Sequence, residues 1–326
     1  MAPLLERYRD RLPVTEATPV VSLGEGSTPL LPAHRVSERL GVDVHLKWEG
    51  ANPTGSFKDR GMTVAISRAL ERGAQVVICA STGNTAASAA AYATRAGLPA
   101  VVLQPAGAVA TAKTAQARAL GARVLDVRGT FDEALAAARA LADRGTHVLV
   151  NSVNPDRVEG QKTAAFEIAE QLGGVPDVLA LPYGGGGNLF AYRRGFAEAG
   201  GGTPRLVGGQ AADRPGTVAS AIRIAEPVHA DEVAQAIEAT DGSIVTLSDD
   251  EILAAWRELA HGEGLLCEPA SAAGLAALAH VALEPGSRVV CVITGHGLKD
   301  TETAARVSPP PTPVDADPDA IAEASA

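Results

Sequence analysis

The sequence predicts an α/β protein built on two open, mostly parallel sheets flanked by helices, and three observations carry that prediction. At 326 residues the chain has room for two hydrophobic cores. Its strand-length apolar runs are continuous in Val, Ile, Leu and Ala, and they alternate with helical segments, the pattern of parallel strands covered on both faces. The alternation breaks once, at Asn151 to Asp156, where small polar residues read as a crossover between sheets.

The elements follow in order. Met1 to Trp48 is a Pro- and Gly-rich leader in which Val20 to Leu23 and Val42 to Trp48 read as short strands. Next come a helix from Lys58 to about Gly73, a strand Gln75 to Ala80 and an alanine-rich helix Asn84 to Arg95, stopped at Gly97. A strand Ala100 to Gln104, a helix Thr111 to Leu120, a strand Ala122 to Val127, a helix Thr130 to Arg144 and a strand His147 to Val150 complete the first half. The second half reads as a helix from about Glu159 to Leu172, a strand Val178 to Leu181, a helix Asn188 to Ala199 and a strand Arg205 to Gly209. Helices at Ser248 to His261 and Ala270 to Val281 and a strand Arg288 to Ile293 follow. Ser248-Asp249-Asp250-Glu251 supplies a cap and an acidic first turn. From Val307 the Pro-rich, then acidic, sequence reads as a disordered tail over 307–326.

Composition narrows the function. A net charge of −10 argues against a nucleic-acid surface. No apolar run reaches membrane-spanning length, and Met1 to Asp10 lacks the apolar core of a secretory signal, so no membrane partner is expected. Three well-separated cysteines, Cys79, Cys267 and Cys291, fit reduced thiols in a cytoplasmic protein. The histidines show no ligand spacing, so no metal site is expected.

Chemistry gathers in a few loops. Only five of the 28 basic residues are lysines, and Lys58 stands after the turn formers Asn52-Pro53-Thr54-Gly55. A lysine can lose its proton and condense with a carbonyl where an arginine cannot; the plain alternative is an ordinary first-turn lysine. Ser81-Thr82-Gly83-Asn84-Thr85 offers hydroxyls, an amide and a helix N-terminus, which suits an anion better than it suits a simple cap. Tyr183-Gly184-Gly185-Gly186-Gly187-Asn188, between a strand and a helix, reads as a phosphate cradle in preference to a flexible loop. Thr294-Gly295-His296-Gly297 ends the last strand and on its own is only a turn. Arg157, after Asn151-Ser152-Val153-Asn154, suits a phosphoryl group or is merely solvated near a helix start. One amine, one phosphate cradle and a second anion pocket together suggest pyridoxal phosphate. A dinucleotide site fails because no Gly-x-Gly-x-x-Gly turn follows the first strand.

These residues resemble the threonine synthases, in the branch of pyridoxal-phosphate enzymes that includes the tryptophan synthase β subunit and threonine dehydratase. The resemblance runs from about Gly24 to Asp300, through Glu25 to Leu30, Asn52 to Gly61, Ala80 to Thr85, Asn151 to Thr163, Glu268-Pro269-Ala270-Ser271-Ala272-Ala273 and Thr294 to Asp300. It implies twisted sheets with the active site in a cleft between a large domain (1–51 and 155–306) and a small one inserted in it (52–154). Lys58 would bind the cofactor aldehyde covalently. Asn84 would hydrogen-bond the ring hydroxyl, Gly184, Gly185, Gly186, Gly187 and Asn188 would hold the cofactor phosphate, and Thr294 would donate to the ring nitrogen. Ser81, Thr82 and Thr85 would line the substrate end. Thr85, Ser152, Asn154 and Arg157, with Lys113 as a further candidate, would bind the phosphate of O-phospho-L-homoserine.

The implied reaction is γ-elimination of phosphate and β-addition of water to give L-threonine, in a homodimer. A serine/threonine dehydratase and a non-catalytic cofactor-binding paralogue are the alternatives. Two departures border the cleft. Threonine synthases commonly carry asparagine where Gly185 stands, the four-glycine form being more like hydroxyamino-acid dehydratases. The segment from Gly208 to Ile222 is shorter than the family's, and Ile224-Ala225-Glu226-Pro227 replaces the usual Ile-Gly-x-Pro.

Overall fold

The computed structural model describes residues 2–107 and 112–325. Thr111, expected to open a helix, lies outside the described residues. The chain runs through α1 (Leu4–Arg7), β1 (Leu30–Pro32), α2 (His34–Leu40), β2 (Asp43–Trp48), α3 (Lys58–Glu71), β3 (Val77–Ala80), α4 (Asn84–Arg95) and β4 (Ala100–Pro105). It continues through α5 (Ala112–Ala119), β5 (Arg123–Val127), α6 (Phe131–Asp143), β6 (Val148–Leu149), α7 (Pro155–Leu172), β7 (Val178–Pro182), α8 (Gly187–Ala199) and β8 (Arg205–Ala211). The last elements are α9 (Ala230–Glu238), β9 (Ser243–Leu247), α10 (Asp249–Gly262), α11 (Ala273–Ala277), β10 (Arg288–Ile293), α12 (Thr301–Val307) and α13 (Pro318–Ser325).

The strands form two sheets, as the alternation predicts. One is six-stranded, ordered β1-β2-β10-β7-β8-β9, and the other four-stranded, ordered β5-β4-β3-β6. Every pairing is parallel except that of β1 with β2 at the edge. The large sheet has apolar clusters on both faces, one around Trp256, Leu259 and Val289, the other around Tyr192, Phe196 and Val290. Val289 and Val290 are neighbours in β10 and sit in opposite clusters, because successive strand residues face opposite ways.

Local sequence explains the helices that frame the loops. Asn154 caps α7, its side-chain oxygen accepting from Asp156 N at 2.9 Å, with Pro155 at the first helical position and Gly173 closing the helix at φ 67°. Ser248 and Glu251 make a reciprocal capping box at α10, as do Thr130 and Glu133 at α6. Helices α3 and α7 cross where Gly61 faces Arg157 and Gly160 faces the Arg60 carbonyl; any side chain at Gly160 would run into that carbonyl oxygen.

Several expectations are corrected. Val20 to Leu23 forms no strand; Val21 N and O bond instead to the Ser67 and Thr63 side chains of α3. The helix expected from Glu159 begins at Pro155, four residues earlier, because the Asn-Pro pair is a start signal. Ala270 to Val281 is not one helix: two 3₁₀ turns, Pro269–Ala272 and Leu278–His280, flank α11. The segment lies so close to β7 that a side chain at Gly274 would come within 2.8 Å of Leu181 Cα, which leaves the chain to follow the sheet surface. Elements α9 and β9 were not foreseen; β9 is a half-exposed edge strand without a continuous apolar run. The tail expected to lack structure carries α13, where Asp317 accepts from Asp319 N and Ala320 N ahead of Pro318.

Candidate active site

Four loops at the carboxyl ends of parallel strands come together: those after β3, β6, β7 and β10. This is where open parallel sheets place ligands. The approach to Lys58 is held against the loop after β10. Phe57 N donates to Thr294 O at 3.0 Å, His296 N donates to Gly55 O at 2.9 Å, and Ser56 forms an isolated bridge with Gly295. Lys299 Nζ donates to Thr54 O at 2.8 Å. Asp59, fully buried, accepts from Thr54 N, Thr54 Oγ1 and Ser88 Oγ at 2.7, 2.6 and 2.6 Å. Lys58 at the first position of α3 is thus fixed from both sides of its own backbone.

The Lys58 ammonium is lowered to about 7. Burial among protein atoms is the main cause, the Arg157 guanidinium adds to it, and the Glu268 carboxylate opposes it. The residue still keeps a partly accessible surface. Its Nζ lies 4.4 Å from the Phe57 ring centroid. An amine that is half neutral near pH 7 is a competent nucleophile and base. Lys299 is also lowered, to about 8, chiefly by burial.

Asn84 ends the loop after β3, and Thr294 begins the one after β10. Asn84 is 7% exposed at the start of α4; its Nδ2 donates to Glu268 Oε2 at 2.6 Å, and its Oδ1 is buried without a protein partner. Thr294 Oγ1 lies 2.9 Å from Ser271 Oγ, which accepts from Gly295 N at 2.9 Å. Ser271 can then give its hydroxyl hydrogen to Thr294, leaving the Thr294 hydrogen for a ligand. Gly295 leaves room for Glu268, whose carboxylate any side chain at that position would strike.

The glycine loop reaches the N-terminus of α8. Gly186 has φ 85°, and a Cβ there would fall 2.8 Å from Val233 Cγ2. A Cβ on Gly184 would meet Ile222 Cα at 3.2 Å, and one on Gly187 would meet His229 Cδ2 at 3.2 Å. Asn188 Nδ2 is buried and unpartnered. The bare backbone at a helix N-terminus makes a cradle for an anion.

The other sequence-predicted residues divide by what they have free. Arg157 is fully buried: Nη1 donates to Val150 O at 2.8 Å, while Nε and Nη2 have no partner. Burial lowers its guanidinium to about 10. Asn154 is committed to backbone, capping α7 and donating to Leu149 O at 2.9 Å. The Ser152 carbonyl lies 3.2 Å from His229 Nε2. Ser81 Oγ accepts from Gly83 N at 3.1 Å in the turn before α4. Thr82, in the same turn, and Thr85, the second residue of α4, are partly exposed. Lys113 is 5% exposed; its Nζ lies 2.6 Å from Glu268 Oε1 and 3.2 Å from Ser220 Oγ.

The set fits pyridoxal phosphate on the chemistry of its donors: a lysine with a lowered pKa, a glycine cradle, an unpartnered amide oxygen and a hydroxyl with a hydrogen to give. The family model described as pyridoxal-phosphate dependent enzyme matches residues 21–295, spanning the loops after β3, β6 and β7 and reaching the start of the one after β10. The chain belongs to that family. Its cofactor is pyridoxal phosphate. The chain is 49% identical to a threonine synthase of Halalkalibacterium halodurans over 92% of this chain and 90% of the relative. It is 50% identical to that of Synechocystis sp. over 94% and 85%, and 48% identical to that of Mycobacterium tuberculosis over 98% and 95%. Among solved structures, maize serine racemase aligns with TM-score 0.77 at 21% identity over 89% of this chain and 94% of that one. Threonine deaminase isoform 2 from Solanum lycopersicum aligns with TM-score 0.76 at 23% identity over 92% and 86%. These two show the fold.

Sequence reasoning gave no role to Glu268, Ser271 or His229, all now at the centre of the site. Glu268 and Ser271 lie in the Glu-Pro-Ala-Ser motif, which was a usable signal. His229 had none: it sits on the Gly187 backbone and its N donates to Gly185 O at 3.1 Å, contacts that only folding creates. Among the described residues no group of acidic, histidine or cysteine side chains could hold a metal ion. No described helix is long and apolar enough to cross a membrane.

Proposed function

We propose that the protein is a threonine synthase that converts O-phospho-L-homoserine and water to L-threonine and phosphate by γ-elimination and β-addition of water. The observation that carries the choice is Arg157, a fully buried guanidinium with two unpartnered nitrogens. It acts electrostatically on the Lys58 amine. Burying a charge without partners is costly, and an anionic substrate group offsets that cost. Relatives named threonine synthase at 48–50% identity support the same reading.

The bound cofactor supplies a carbonyl that condenses with amines and a conjugated ring that takes up the electrons left on the substrate α carbon. Lys58 would anchor it, and its Nζ, when free of that bond, would take the substrate α proton. The lowered pKa leaves Nζ able to accept and return that proton near neutral pH. Gly184, Gly185, Gly186, Gly187 and Asn188 hold the cofactor phosphate, Asn84 orients the ring hydroxyl and Thr294 donates to the ring nitrogen. Arg157 binds the substrate phosphate with Thr85, Ser152 and Lys113, and stabilises the charge that develops as it leaves. Ser81 and Thr82 line the substrate end. Asn154 acts by shaping the start of α7 more than by direct contact.

In this reading residues 1–51 and 155–306 form a large domain and 52–154 a small one, with the cleft between them. The working form is a cytoplasmic homodimer.

Incubation of the purified protein with O-phospho-L-homoserine tests the proposal: threonine and phosphate are released in equal amounts. The four-glycine loop gives the dehydratase reading its footing. No product from O-phospho-L-homoserine, with 2-oxobutyrate from threonine, would replace our reading with that one; a bound cofactor and no turnover of either would leave a binding paralogue.

A further inference from the structure

The Glu268 carboxylate is 2% exposed, and its two oxygens face two residues with different assigned ligands. Oε2 accepts from Asn84 Nδ2 at 2.6 Å, and Oε1 lies 2.6 Å from Lys113 Nζ as an ion pair without an aligned hydrogen bond. Asn84 faces the cofactor ring in the proposed site, and Lys113 the substrate phosphate. Glu268 itself is clamped. Its N donates to Gly295 O at 3.0 Å, its side chain fills the space that Gly295 leaves open, and Pro269 begins a 3₁₀ turn behind it.

We propose that Glu268 is a positioning residue that ties cofactor orientation to substrate-phosphate binding by holding Asn84 and Lys113 on opposite oxygens of one carboxylate. The proposal rests on the site roles given above. An ionised carboxylate only accepts, so the Asn84 amide must turn its nitrogen toward Glu268. That fixes the flip of the amide and leaves its oxygen and second N–H for the ring. On the other oxygen, the carboxylate holds the buried Lys113 side chain in place. A buried lysine without that partner would swing toward water. Incoming phosphate therefore meets Lys113 already in position, and shares it with Glu268. Movement of Lys113 toward that phosphate is felt by Asn84 through a single rigid side chain.

The test is a double-mutant cycle on the holoenzyme, using Glu268→Gln, Asn84→Ala and Lys113→Met. Two readouts are used: the absorption spectrum of the bound cofactor, and KM against kcat for O-phospho-L-homoserine. Glutamine keeps the size and one acceptor but cannot serve both partners. Glu268→Gln should shift the cofactor absorption band and raise KM about ten-fold. In the Asn84→Ala background it should cause no further spectral shift, and in the Lys113→Met background no further rise in KM. Additive effects in both backgrounds, or an unshifted band with unchanged KM, would overturn the proposal. If the protein proves to be a dehydratase, the threonine synthase reading fails but the spectral half of the cycle still judges the Asn84 link. Thermal melting of each variant identifies a folding defect; for a variant that does not fold, Glu268→Asp, which keeps the charge but shortens the reach, should show the same background dependence, and additivity there overturns the proposal equally.

Discussion

At the residue scale the proposed chemistry depends on two cations, Lys58 and Arg157, whose surroundings work against their charge. Burial lowers Lys58 to about 7, with Arg157 acting in the same direction. Only the neutral amine reacts with electrophiles, so a lowered pKa moves the onset of reactivity to lower pH. In the cofactor-free protein, labelling of Lys58 by an amine reagent, followed by mass spectrometry across pH, should reach half its maximal rate near pH 7. A midpoint near that of a solvated lysine, about 10.4, would contradict this. Replacing Arg157 should act on the substrate. A charge-assisted hydrogen bond contributes on the order of 1.5–3 kcal/mol, so Arg157→Ala should lower kcat/KM for O-phospho-L-homoserine roughly ten- to a hundred-fold, measured by phosphate release. Lys58 was legible as scarce and well placed. The lowered pKa was not, because it comes first from burial in the folded chain and then from Arg157, 99 residues away in sequence.

At the element scale, the loops do the chemistry and the glycines let elements approach. Gly160→Ala should force α3 and α7 apart at the Arg60 carbonyl, displacing both Lys58 and Arg157. We expect destabilisation of about 1–3 kcal/mol, typical of overpacking, read by denaturant unfolding, with a loss of activity larger than the loss of stability explains. Gly186→Ala imposes φ 85° on a residue with a side chain and crowds Val233. It should weaken cofactor binding, as measured by equilibrium dialysis. The strands of both sheets were legible where apolar residues run unbroken, as in Arg288–Ile293 and Val178–Pro182. Elements β9 and α9 were not, since an edge strand half open to water keeps no such run. The Ala270 to Val281 stretch was legible as helical, but its division around α11 is set by how closely it packs on β7. Of the proposed site, the glycine run and Arg157 could be picked out from residue type and position after a strand. The bonds that Glu268, Ser271 and His229 make across loops were invisible in linear order.

At the scale of the whole molecule, a buried charge network joins the start of α3, which carries Lys58, to the large sheet. Arg60, in the first turn of α3, pairs with Glu49 and Glu167 at 2.6 Å each, and Glu167 also takes Lys47 at 2.9 Å. All four side chains are 2% exposed or less. Arg60 and Lys47 balance Glu49 and Glu167, so removing one carboxylate strands a cation in the interior. Glu167→Gln should cost about 3–5 kcal/mol, read by chemical denaturation; a cost below about 1 kcal/mol would mean that the cations relax to other partners. The network holds the start of α3 against β2 and α7, and so places Lys58 beside the loop after β10. The account as a whole stands on Lys58 being the amine that takes the cofactor, although Lys113 and Lys299 lie in the same cluster. Borohydride reduction of the pyridoxal-phosphate-loaded protein, followed by peptide mapping, decides it. The label should lie on Lys58, and a label on Lys113 or Lys299, or none at all, would contradict the account.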